Sequence, residues 1–294
     1  MSIQTIGLFG NPEKPDISSA VQFICDYCRR AGLPVRLSAP VARCVGRAAQ
    51  GLGSGELVRT VDVLMALGGD GTMLQAARAI GGAGTPLLGI NLGSLGYLTD
   101  VRFEELERAL QQLLSGKYHL EERKLVACET WRGQQSLNAM LGLNDIVVNM
   151  GPLPRALGLE IRLDGESLGR FLGDGIIVST PTGSTAYSLS AGGPVCHSDV
   201  ACLLVTPICP HSLGMRPLIV PDDIDIEILL HDVGQGAQLT ADGQQTESLR
   251  DGDRVVFHTA SAGIKLVKFP QSNFYRVLRH KLEWGAPRRQ GDGR

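Results

Sequence analysis

The stretch Leu67-Gly68-Gly69-Asp70-Gly71-Thr72 gathers three glycines, one carboxylate and one hydroxyl into six residues. Missing Cβ atoms let a backbone approach a phosphate closely and turn N–H groups toward it. Gly68, Gly69 and Thr72 are therefore candidates for a phosphate loop, with the Asp70 carboxylate at its edge. Beside phosphates, a carboxylate can accept the proton of an attacking hydroxyl or help hold Mg²⁺. The structural alternative is plain: Asp-Gly is a turn, and Asp70 or Thr72 can cap a helix. No G-x-x-x-x-G-K-[ST] occurs, and no G-x-G-x-x-G follows the first apolar run, so a Walker-type ATPase and a dehydrogenase both lose support.

A second segment runs from Gly173 to Pro194. An apolar strand leads into the hydroxyl-rich loop Ser179-Thr180-Pro181-Thr182-Gly183-Ser184-Thr185, then into a short helix stopped by Gly192-Gly193-Pro194. Ser184 or Thr185 is expected as the N-cap, leaving helix N–H groups for an anion. A capped strand-loop-helix explains the shape but not so many hydroxyls. A third feature is Asn144-Asp145 at a strand entry. Asn offers the donor and acceptor an adenine edge needs, and Asp can accept from ribose hydroxyls; a simple turn is the alternative. His211, between Pro210 and Ser212, is expected to be a structural, hydrogen-bonded histidine rather than a base.

Alternating elements must hold these residues. Apolar runs Ile3–Phe9, Pro34–Leu37, Val61–Leu67 and Pro86–Leu92 read as strands, with helices at Ile17–Leu33 and Met73–Ile80. That alternation predicts a parallel sheet covered on both faces. After about Asp100 the texture changes: one helix, Glu104–Leu114, precedes many short strand-like runs, with Asp164-Gly165 as a hairpin turn. An all-β unit such as a sandwich is expected there. Phe274, Val277, Leu278 and Leu282 share a face of a closing helix, and the polar tail from Pro287 is expected to fray.

Of the 294 residues, 43% are apolar and 20% charged, enough for a core and too little charge for disorder. A net charge of −2 gives no footprint for nucleic acid. Seven cysteines show no disulfide framework, and Cys25-x-x-Cys28 falls in a helical pattern as buried thiols. The start Met-Ser-Ile-Gln-Thr lacks a signal-peptide pattern, and no apolar run spans a bilayer. A cytoplasmic protein with no membrane partner is expected.

Taken together, these segments resemble the NAD kinase family. The matching pieces are Gly68 to Thr72, Asn91-Leu92-Gly93-Ser94-Leu95-Gly96-Tyr97-Leu98, Asn144-Asp145, Asp174 through Gly193, Pro210 to Leu213, Asp242-Gly243-Gln244, and Phe274 to Leu278 with Trp284-Gly285. The Gly-Gly-Asp-Gly piece is shared with diacylglycerol-type lipid kinases and phosphofructokinases. Thr180-Pro181-Thr182-Gly183-Ser184-Thr185-Ala186-Tyr187 is what singles out NAD kinases. The resemblance implies an α/β N-terminal domain with a Rossmann-like parallel sheet over 1–100, joined by a returning helix over 268–294. It implies an all-β sandwich-like C-terminal domain over 101–267, with NAD bound between the two. It further implies ATP, or in some members polyphosphate, as donor to the adenosine-ribose 2′-hydroxyl, a divalent cation with Mg²⁺ expected, and a homodimer or homotetramer.

On that mapping Asp70 is the base, with Gly71 beside it. Asn144 and Asp145 hold the adenosine portion, and Asp174 contacts the nicotinamide side. Thr185, Ala186, Tyr187, Ser188 and Ser190 bind around the adenine and ribose, and Arg155 and Gln244 fall at further substrate contacts. Metal ligands stay unassigned. Two positions depart from the family pattern: Leu172 stands where many relatives carry a basic residue, and Asp145 replaces the commoner Glu. Arg170 lies two residues before Leu172, on the same strand face, and is a candidate substitute. The rival readings are a lipid or sugar kinase sharing the glycine loop, and a non-catalytic sensor of NAD(H) or NADPH.

Overall fold

The structure is a computed structural model describing residues 3–93, 96–99, 101–151, 155–234 and 236–283. The Ser94-Leu95 part of one motif, Trp284-Gly285 and the tail from Pro287 lie outside the described residues.

The first unit alternates strands β1 (Ile6–Gly10), β2 (Val35–Ser38), β3 (Gly51–Leu52), β4 (Val63–Gly68), β5 (Leu87–Asn91), β6 (Val101–Arg102) and β7 (His119–Arg123) with helices α1 (Ile17–Arg30), α2 (Ala39–Cys44), α3 (Ser54–Arg59), α4 (Asp70–Ile80) and α5 (Leu106–Leu114). The second unit holds β8 (Val126–Arg132), β9 (Gln135–Gly142), β10 (Asp145–Met150), β11 (Leu157–Leu163), β12 (Glu166–Gly173) and β13 (Gly175–Ser179). After these come the short α6 (Tyr187–Ser190), β14 (Cys202–Ile208), β15 (Leu218–Pro221), β16 (Ile226–His231), β17 (Ala237–Ala241), β18 (Gln245–Leu249) and β19 (Asp253–Thr259). The chain then returns through β20 (Ile264–Lys268) and α7 (Phe274–Leu282).

The first sheet runs β3-β2-β1-β4-β5-β20-β7, with β6 beside β5. Its pairings are parallel except β20 with β7. Every residue of β4 is buried, as a strand covered on both faces requires. Its alternation splits two cores. Val63, Met65 and Leu67 pack with α1 and α5, while Leu64 and Ala66 pack with α3 and α4. Against the expected boundaries at 100 and 267, β6, β7 and β20 (which straddles 267) pair into the first sheet, and α5 packs on it.

Two antiparallel six-stranded sheets, β15-β14-β13-β10-β17-β18 and β12-β11-β16-β19-β8-β9, close on one apolar core as a sandwich. The Asp164-Gly165 turn between β11 and β12 takes φ of 48° and 82°, the left-handed pair that a two-residue hairpin favours. Leu74 and Ala77 of α4 share a buried cluster with Leu125 and Leu143 at the sandwich edge. That packing wedges α4 between the units and points its first residue into the space between them. Among the described residues, no helix is long and apolar enough to cross a membrane.

Candidate active site

The α4 helix begins at Asp70, directly after Gly69 and the carboxyl end of β4. In parallel sheets this edge is where ligands gather, and a carboxylate is favoured in a helix's first turn. The Asp70 carboxylate does not swing free. Tyr97 N–H donates to Oδ2 at 2.8 Å and Leu98 N–H to Oδ1 at 3.0 Å. A Cβ on Gly96 would overlap Asp70 Oδ1, so only glycine lets this loop cross the carboxylate so closely. The loop is itself pinned by two buried side chains. Asn91 Oδ1 accepts from Gly93 N–H at 2.7 Å, and Thr99 Oγ1 accepts from Gly96 N–H at 3.2 Å.

The glycine loop divides its tasks. A Cβ on Gly68 would overlap the buried Thr72 side chain, so Gly68 and Thr72 serve packing. Gly69 and Gly71 face open space, with nothing nearer to a Gly71 Cβ than Gln244 Nε2 at 3.9 Å. These two leave room for a phosphate.

Asp70 opens onto a cleft of about 600 Å³ that Asn144, Thr185 and Ala186 also line. A neighbouring hollow of about 390 Å³ is lined by Asn144, Asp145, Ala186, Tyr187 and Asp242. Asn144 and Ala186 form the divide between the two hollows. Asp145 is buried, and burial, reinforced by the Asp242 carboxylate beside it, pushes its pKa up to about 7 against the pull of the Tyr187 N–H. Burial also raises Asp242, opposed by three N–H groups at Leu143 (2.9 Å), Asn144 (2.8 Å) and Asp145 (3.3 Å) and by nearby Arg78. Asp242 is thus the carboxylate held by N–H donors, and Asp145 is the more readily protonated of the two.

The hydroxyl loop is built differently from expectation. A 3₁₀ turn, Thr182–Thr185, precedes α6, whose N-cap is Ala186 rather than Ser184 or Thr185. The Tyr187 N–H goes to Asp145, not to an open anion site. Most of the hydroxyls hold the loop together. Thr180 Oγ1 donates to Leu143 O at 2.6 Å, Ser184 Oγ to Pro181 O at 2.6 Å, and Ser188 Oγ bonds Thr206 Oγ1 at 2.8 Å. Ser188 is fully buried and lines neither hollow, whereas Ser190 is exposed at the end of α6 and also lines neither. Thr185 remains on the cleft wall.

Two expected contacts lie toward the other end of β13, and a third, Gln244, sits beside the glycine loop. Asp174 precedes β13, whose far end, Ser179, pairs with Asp145. Five residues of strand put Asp174 roughly 17 Å from that end along the same sheet. Arg155 stands over Gly234, two residues before Gly236, whose carbonyl accepts from Gly151 N–H at the same end. Gln244 is a clamp between units: its Nε2 donates to Gly71 O at 3.0 Å, and its Oε1 accepts from Arg78 at 2.9 Å. Arg170 pairs with Asp232 at 2.6 Å on the outer sandwich face, alongside exposed Leu172. The His211 ring is exposed and makes no hydrogen bond among the described residues; only its backbone N–H is used, to Leu172 O at 2.7 Å.

The cleft contains side chains that sequence patterns did not single out. Arg123 and Lys268 are buried cations on its wall. Arg123 pairs with Glu121 at 2.6 Å and reaches Thr182 Oγ1 at 3.5 Å, tying β7 to the hydroxyl loop. Lys268 ends an apolar strand, a cost that an anionic partner or ligand offsets, and this was the available sequence signal. His197 and Phe274 meet edge-on at 4.6 Å, with Tyr275 alongside, giving the cleft an aromatic wall.

A parallel sheet with a fixed carboxylate at a helix start, facing a β-sandwich across a cleft that holds Arg123 and Lys268, defines a two-unit phosphotransferase. The family model for the ATP-NAD kinase N-terminal domain matches residues 53–118, and that for the C-terminal domain matches 143–269. An NAD kinase of Moorella thermoacetica is 42% identical over 99% of this chain and 93% of its own length. One of Syntrophotalea carbinolica is 41% identical over 96% and 99%. Yeast NADH kinase complexed with NADH superposes with a TM-score of 0.91 at 28% identity, covering 99% of this chain and 91% of that one. An NAD kinase from Archaeoglobus fulgidus in complex with ATP gives 0.76 at 26%, covering 95% and 98%. The chain belongs to the NAD kinase family.

Proposed function

We propose that this chain transfers the terminal phosphoryl group of ATP to the 2′-hydroxyl of the adenosine ribose of NAD, giving NADP, with Asp70 as the base. The observation that carries the reading is the fixed Asp70 carboxylate in the cleft shared with Asn144, Thr185 and Ala186. Each Asp70 oxygen accepts one N–H and keeps a lone pair for the ribose hydroxyl. As the ribose oxygen bonds to the γ-phosphorus, its proton passes to Asp70 and the bond to the β,γ-bridging oxygen breaks, releasing ADP. Proton acceptance of this kind contributes ~10²–10⁴-fold. Gly69, Gly71, Arg123 and Lys268 would orient the phosphates and offset their charge.

No three His, Cys, Asp or Glu side chains converge as a metal cage among the described residues. Mg²⁺ fits nonetheless, since it commonly binds one or two carboxylates together with substrate phosphates. The donor phosphates would hold it, and the ion would neutralise developing charge; Asp70 as chiefly a ligand of that ion is the alternative to Asp70 as the base. Asn144, Asp145, Ala186 and Tyr187 would seat the adenosine.

Asp174 stands at the other end of β13 from the Ser179–Asp145 pair, which supports a homo-oligomer in which a second copy presents Asp174 to complete the nicotinamide side. The buried free thiols Cys25, Cys28, Cys128, Cys196 and Cys202 support a reducing, cytoplasmic setting. The test is NADP formation from NAD with ATP and Mg²⁺. Turnover supports the reading, and tight NAD binding without product from any donor would leave a sensor instead.

A further inference from the structure

We infer that the groove between α5 and α7 binds the remote phosphates of a condensed-phosphate donor, either a nucleoside triphosphate tail or an inorganic polyphosphate. This rests on the phosphotransferase reading above. The groove encloses about 300 Å³ and is lined by Arg102, Arg108 and Arg276 against a single acid, Glu105. None of the three guanidinium groups forms an ion pair among the described residues. Three guanidinium forks around one cavity suit phosphate oxygens, which they can grip in pairs.

Its position follows from the register of the sheet. Gly68 pairs with Asn91, and Asn91 with Arg102, so the three lie side by side at the carboxyl edge of β4, β5 and β6. At ~4.8 Å per strand, Arg102 stands ~10 Å from the glycine loop. The groove and the Asp70 cleft share Ser272, Asn273 and Val277 in their linings, so the two adjoin at the start of α7. A donor whose reacting phosphate sits at Asp70 would extend its remaining phosphates toward the arginines. A nucleic-acid backbone is a poorer fit, since the chain as a whole carries −2.

The experiment uses the full chain. Tripolyphosphate binding is measured by calorimetry for wild type, Arg102→Gln, the double variant Arg108→Gln/Arg276→Gln, and Arg43→Gln as a remote control on α2. KM values for ATP, polyphosphate and NAD follow. The expected result is tripolyphosphate binding weakened ~10-fold or more in the groove variants, as loss of charge-assisted contacts implies. The KM for at least one donor should rise by a similar factor while that for NAD holds. A rise for polyphosphate alone assigns the groove to the inorganic chain, and a rise for ATP alone assigns it to the nucleotide tail. Unchanged tripolyphosphate binding and unchanged donor KM values overturn the proposal. If no donor yields NADP, the function falls, while weakened tripolyphosphate binding in the variants would still uphold the groove.

Discussion

Asp70 would be a poor base if its carboxylate could rotate away from the sugar. Two backbone N–H groups hold it, and Gly96 makes that grip possible. Gly96→Ala should therefore displace the carboxylate and lower kcat by ~10–100-fold, the order expected of an ångström-scale misplacement. Steady-state kinetics alongside a circular-dichroism melt would check this; full activity in a well-folded variant would count against the positioning argument. Asp145 gives a pH signature. Its folded pKa of about 7 lies above the ~3.9 of an unfolded aspartate, so between those values the folded chain binds more protons than the unfolded one. The stability from this group is present below about pH 4 and is lost as pH rises toward 7. Thermal melts from pH 5 to 7 should show a downward slope that flattens in Asp145→Asn. Asp70 and Asn144-Asp145 were legible in the sequence because each stands at a strand boundary with the right chemistry. Their partners were not, since Tyr97 and Leu98 lie 27 and 28 positions away and Asp242 nearly a hundred.

The hydroxyl loop shows how an element can carry the right motif for a different physical reason. Its hydroxyl count reads as a ligand cradle, yet Thr180, Ser184 and Ser188 are spent on Leu143, Pro181 and Thr206. What they build is a rigid support that places Thr185 and Ala186 at the cleft and the Tyr187 N–H on Asp145. Gly183 lies against the Asn144 carbonyl so tightly that any Cβ would overlap it. Gly183→Ala should push the loop off Asn144, destabilising the fold by about 1–3 kcal/mol. A melt and an NAD titration would test it; an unshifted Tm and an unchanged NAD affinity would mean the loop tolerates the shift. Local signals sufficed for α1, β4, the Asp164-Gly165 hairpin and α7, whose periodicity and turn residues lie within a few positions. The N-cap of α6 was misjudged because the 3₁₀ turn before it depends on that long-range stitching.

Across the whole molecule, the sheet of the first unit is completed by a strand from near the end of the chain. β20 enters beside β5 after the sandwich has been built, and no local pattern in Ile264–Lys268 announces that partner. This return brings α7 against the cleft and its aromatic rings to the wall. The same view explains why Asp174 stands apart from Asp70, at the other end of β13. If a second copy supplies it, mixed oligomers of Asp70→Asn and Asp174→Asn chains should regain turnover that neither has alone, because one shared site is then intact. Subunit mixing followed by a rate assay would show it, and no recovery in proven mixed oligomers would argue that each chain works by itself.

The base assignment is met most directly by Asp70→Asn, which removes the proton acceptor and keeps the shape. NADP formation under saturating NAD, ATP and Mg²⁺ should fall by at least ~10²-fold, while calorimetry finds NAD bound within a few-fold of wild type. A variant turning over at close to the wild-type rate would contradict the account.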